Sequence, residues 1–146
     1  MAGTLSNLAD QARIAAIDEA AVPAPPNSPY PGEHWFVNCH YHPSMSANAP
    51  QQLLHEARED AQTILRQLAD RPAIRNFISV VITVYSHIPV AGATRPARRR
   101  AYRVHVLCSE LPTSGAQLTC ELFQQLRVDE ESELDEVAEL LHQTAS

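Results

Sequence analysis

Between Arg95 and Arg103 the chain reads RPARRRAYR, which places five guanidinium groups, those of Arg95, Arg98, Arg99, Arg100 and Arg103, within nine residues. A guanidinium is a planar, permanently charged fork of donors that can grip a carboxylate or a phosphate two bonds at a time, so the chemistry on offer is anion capture. The rest of the chain opposes that charge. Eleven basic residues stand against 17 acidic ones, for a formal net charge of −6. Nucleic-acid-binding domains are usually strongly basic, so the cluster is read first as a contact for an acidic protein surface, including self-association through an acidic face of the same chain. RNA or DNA phosphate is the second reading. Every basic residue is arginine and lysine is absent. Biased coding explains that as simply as selection for bidentate contacts.

A second group is His34, His40 and His42. Alternate residues of a strand project from the same face, so His40 and His42 could ligate one metal ion, with a third donor from elsewhere. His34 lies six residues before His40, roughly 20 Å along an extended strand, and cannot join them. Metal binding by His40 and His42 is therefore the third reading. Cys39 and His40 are adjacent, but neighbours in a strand point to opposite faces and cannot form a thiolate and base pair. The four glycines form no phosphate cradle such as GxGxxG or GxxxxGK[ST], and no GxSxG elbow is present. No cofactor and no catalytic residue are expected, and a non-enzymatic protein is the favoured reading. Three cysteines without a CxxC pair read as reduced and structural.

Elements must position these groups. An Ala-rich stretch over residues 5 to 21 has roughly helical apolar spacing and predicts a first helix, followed by the proline-rich VPAPPNSPYPG as an extended arm. HWFVNCHY, residues 34 to 41, predicts a strand. A stripe of Leu53, Leu54, Ala57, Ala61, Ile64, Leu65 and Leu68 predicts a helix from about 50 to 70. Ile74 to Ile88, with two largely apolar faces, predicts a central strand, and AYRVHVLCS its half-buried antiparallel partner. The arginine cluster then falls on a long hairpin loop from Pro89 to Arg100. QLTCELFQQL alternates as a strand while also spacing its leucines as a helix, and strand is favoured because its Thr, Cys and Phe are mediocre helix formers. Residues 131 to 144 predict a final helix whose acids suit its N-terminus.

The expected fold is α+β: an antiparallel sheet of three to four strands with two main helices on one face, plus an N-terminal helix on a Pro-rich arm. Residues 1–33 form that helix and linker, and 34–146 a single α+β domain. No run of eighteen apolar residues and no secretory signal is visible, so a cytoplasmic protein without membrane contact is expected. The expected function is protein binding of an adaptor, chaperone-like or regulatory kind. Nucleic-acid binding through 95–103 is the alternative, and a metal-dependent protein using His40 and His42 the third.

Overall fold

The computed structural model describes residues 13–29, 31–43, 50–90 and 92–133. It is an α+β fold built on one five-stranded mixed sheet with strand order β1-β2-β3-β4-β5. The strands are β1 (Ile14–Pro23), β2 (Glu33–Tyr41), β3 (Ser79–Ile88), β4 (Ala97–Leu107) and β5 (Arg127–Glu131). Two α-helices are described, α1 (Pro50–Ala69) between β2 and β3, and the short α2 (Cys120–Leu126) before β5. No described helix is long and apolar enough to cross a membrane.

The sheet is not wholly antiparallel, as the sequence reading had it: β2 and β3 run parallel from His34–Ser79 to His40–Tyr85. A helix inserted between two neighbouring strands returns the chain to its starting side, which makes the second strand parallel to the first. The expected N-terminal helix is also corrected. From Ile14 onward the chain is strand, paired antiparallel with β2 up to Pro23–Glu33; the earlier part of that helix lies outside the described residues. The proline-rich stretch beyond Pro23 is a hairpin connection, closed by Ala24 N–H donating to the Gly32 carbonyl at 2.8 Å. Edge pairing over a full strand outweighs the helix propensity of alanine, which is the highest of any residue but amounts to only a fraction of a kcal/mol per residue.

Three further differences are local. Residues 72–76 form a 3₁₀ turn, so the central strand begins at Ser79. Residues 120–126 are helix rather than strand, because Thr119 caps them, its hydroxyl accepting from Leu122 N–H at 3.1 Å. The final helix expected over 131–144 falls from residue 134 outside the described residues. Its approach, unforeseen, is strand β5.

One sheet face packs on the helices. Val37, Cys39 and Tyr41 of β2, Val80, Ile82 and Val84 of β3, and Tyr102, Val104 and Val106 of β4 are buried in one core with Leu53, Ala57, Ala61, Ile64, Leu65 and Leu68 of α1 and Phe123 and Leu126 of α2. The seven-residue stripe read from the sequence is thus the packing face of α1, with Leu54 only partly buried. Because both described α-helices join this core, the opposite sheet face carries neither.

Candidate anion-binding corner on the open sheet face

The register puts His34, Phe36, Asn38 and His40 of β2 beside Ser79, Val81, Thr83 and Tyr85 of β3 on the open face, the one without a described helix, where His34, Ser79, Val81 and Thr83 are nonetheless buried and the other four half-buried. On β4, Leu107, His105 and Arg103 continue it. A register shift follows between Val84 and Tyr85, where Tyr102 opposes Val84 but Arg100 opposes Tyr85, leaving Ala101 as the extra residue. Such a bulge inverts the phase of the strand beyond it. Arg98 and Arg100 therefore share the open face with His87 and Tyr85, and Arg99 stands opposite buried Ser86. Strict alternation would have put Arg99 on the open face and its neighbours behind it.

The arginine cluster is therefore mostly strand rather than loop, since β4 starts at Ala97. Only Arg95 lies in the hairpin connection, where it is exposed. The five split into two groups. Arg100 pairs through Nη1 with Glu131 at 2.7 Å and through Nε with Glu133 at 3.3 Å, while Arg103 Nη1 reaches Glu131 at 3.5 Å. Glu133 also accepts from Arg100 N–H at 2.7 Å and donates its own N–H to the Arg100 carbonyl at 2.8 Å. These two guanidiniums complete the junction of β4 with β5 and its continuation. By contrast, Arg95, Arg98 and Arg99 form no ion pair among the described residues; Arg99 Nη1 donates only to the Arg98 carbonyl, at 2.8 Å.

Arg98 is held by an aromatic ring instead. Its Cζ lies 4.7 Å from the centroid of Tyr85, within range of a cation–π contact. The His40 ring stacks on Tyr85, with centroids 5.1 Å apart and planes inclined by 15°. β2 and β4 flank β3 on opposite sides, so His40 and Arg98 approach Tyr85 from opposite sides. His40 Nδ1 is hydrogen-bonded with His87 Nε2 at 3.0 Å, and its Nε2 lies 3.3 Å from Asp18 of β1. Asp18 in turn accepts from Asn38 at 3.0 Å. The His87 imidazolium is disfavoured, so its pKa falls below the ordinary value, first by burial and then by the proximity of His40 and Arg98.

Of the two histidines read as a metal pair, His40 thus faces His87, and His42 is an exposed residue just beyond β2. Among the described residues no group of three or more His, Cys, Asp or Glu side chains is arranged to hold a metal ion. Farther along the open face His34 contacts Ser79 by a hydrogen bond, and its ring meets that of His105 edge-on, with centroids 6.0 Å apart. His105 Nδ1 lies 3.6 Å from Asp129. Burial lowers the His105 pKa more than Asp129 raises it.

Sequence reasoning missed Tyr85 as a site residue and offered His87 only as one of several conceivable third donors, with His55, His105 and Glu56, to a metal on His40 and His42. The signal of Tyr85 and His87 was present, because alternation continued through Thr83, Tyr85 and His87 places them on one face, but the cross-strand partners depend on the parallel register. It also missed the cluster behind the sheet, where buried Asp60 of α1 accepts from Arg13 Nε at 2.7 Å and from the Tyr41 hydroxyl. Shallow clefts of about 180, 230 and 250 Å³ lie along the helices. All are below the roughly 300 Å³ at which small-molecule sites commonly begin. Comparison with family models, curated proteins and solved structures finds no match to this chain.

Proposed function

We propose that this chain is a non-enzymatic binding protein that captures an acidic segment of another protein at the hairpin end of its sheet, with Arg98 on the open face, Arg99 on the face behind it and Arg95 in the connection. The observation that carries the reading is a mismatch. In a chain with 17 acids and 11 arginines, these three clustered guanidiniums have no carboxylate among the described residues, whereas neighbouring Arg100 and Arg103 do. Cations left together, one of them fixed over an aromatic ring, form an oriented surface for negative charge. Nucleic acid has less support, because stacking of bases on aromatic faces is a main source of single-strand affinity and Tyr85 is flanked by His40 and Arg98.

The test uses the full chain and a fluorescein-labelled nine-residue peptide of Glu, Ala and a central Ser, followed by anisotropy at low salt. Each exposed ion pair contributes about 0.5 kcal/mol, so replacing Arg95, Arg98 and Arg99 together with Ala should weaken binding roughly tenfold. Equal affinity of the triple variant and the natural chain would remove the corner from the function.

A further inference from the structure

The same corner has a composition that a carboxylate alone does not fill. Arg98 supplies one permanent positive charge, and its guanidinium lies on the Tyr85 ring. His87 opposes Arg98 directly across the β3–β4 ladder and shares a hydrogen bond with His40 across the β2–β3 ladder. His87, joined to His40 at 3.0 Å, can take up a proton when an anion binds beside it. With that proton the corner presents two positive charges side by side, while the open face in front of it bears no described helix.

A carboxylate brings one negative charge. A phosphate monoester brings about −1.5 to −2, with three acceptor oxygens and a second pKa near 6. We propose that the Arg98, His40 and His87 corner is a phosphomonoester subsite, accommodating a phosphoserine or phosphothreonine carried by the acidic segment. This rests on the reading above and specifies its ligand. Arg98 takes two phosphate oxygens through its outward donor edge, and His87 donates to the third after gaining its proton. A phosphodiester matches the corner poorly, having one charge per phosphate and bases for which Tyr85 has little open face.

Binding is then coupled to proton uptake. The charged and titratable groups facing His87 are His40 from β2, Arg98 and Arg100 from β4, and Tyr85 on its own strand, with Asp18 of β1 behind His40. A dianion reverses the unfavourable local charge that Arg98 and His40 impose on the His87 imidazolium. As pH falls, proton uptake by His87 accompanies binding and affinity rises, and below about 6 the phosphate itself takes a proton and affinity falls. A phosphate ligand therefore gives a maximum near pH 6 to 6.5. A carboxylate ligand keeps gaining down to about pH 4.5.

The experiment compares the nine-residue Ser peptide with its phosphoserine form, on the full chain, from pH 5 to 8, with a ten-residue oligothymidylate as competitor. Charge-assisted hydrogen bonds to the added group should make the phosphoserine peptide about tenfold tighter near pH 6.5. That preference and its maximum should vanish in His87→Gln and in Arg98→Gln. Equal affinity of the two peptides for the natural chain, or a phosphoserine profile without a maximum, overturns the subsite and leaves the acidic-segment reading standing. Oligothymidylate displacing the phosphopeptide as well as the Ser peptide does at equal charge also overturns it. Failure of both peptides to bind sinks both readings. Because the pH profile is read on the natural chain, the outcome does not depend on either variant folding.

Discussion

A cysteine is reactive only as the thiolate, so its surroundings decide its chemistry. Cys39 is buried in the core, and burial, reinforced by Asp60, pushes its pKa up to about 12; burial likewise raises Cys108 to about 11. Cys120 is different, exposed at the start of α2 with Gln62 Nε2 donating to its Sγ at 3.2 Å. Ellman's reagent at pH 8 should therefore titrate one thiol rapidly in the native protein and three after denaturation. Two fast equivalents would mean that Cys39 or Cys108 is reached without unfolding. All three cysteines, Cys120 among them, read as structural from the sequence. In the helix the same residue faces solvent. Asp60 was hidden for a related reason: periodicity marks where the buried stripe of α1 runs, but not which polar residue inside it has found Arg13 and Tyr41.

The segment between β4 and β5 is fastened to the end of α1 by backbone contacts as much as by apolar packing. Asp70 Oδ1 accepts from Gly115 N–H at 2.7 Å, Arg66 Nε donates to the Leu118 carbonyl at 2.8 Å, and Ser114 and Gln117 close a capping box around the 3₁₀ turn Gly115–Gln117. The approach is so close that a Cβ on Gly115 would stand 2.0 Å from the Arg66 carbonyl oxygen. Because backbone cannot step aside as a side-chain tip can, Gly115→Ala should cost about 1–3 kcal/mol, in the range of overpacked cores, measured by urea unfolding. A change below a few tenths of a kcal/mol would show the turn to be loosely docked. Elements with a strong periodic signal, β2, α1, β3 and β4, were legible in the sequence. β1 was not, since its alanines carry no period-2 contrast and only pairing with β2 makes it a strand. The short α2 depends on a single cap, and the bulge at Ala101 depends on β3, so neither has a signature in its own residues.

At the scale of the whole molecule the charges separate by position: β5 and its continuation lie along β4 and neutralise Arg100 and Arg103, whereas Arg95, Arg98 and Arg99 of the hairpin end form no ion pair among the described residues, and His87 and His105 lie on the open face. The sequence showed opposite charges segregated along the chain, but how far they meet is set by the β4–β5 register. The histidines give this arrangement a pH signature. His87 and His105, on adjacent strands, both have folded pKa values below the 6.5 of the free side chain, with burial as the first cause in each. Between its folded and unfolded pKa values each histidine binds more protons in the unfolded chain, so the unfolding free energy rises with pH there and falls as the solution is acidified. The stability these neutral rings provide is present above about pH 7 and is lost progressively as pH drops through 6.5 and below. Glu130 does not confuse this window. Its own burial would raise its pKa, but the Tyr102 hydroxyl and Arg127 hold it below 4.5, so its loss belongs to stronger acid. Thermal melts should accordingly show Tm falling between pH 7 and pH 5.5, and a His87→Gln, His105→Gln double variant should have a visibly flatter profile over that range. A variant profile parallel to that of the natural chain would mean that these two rings titrate alike in the folded and unfolded states.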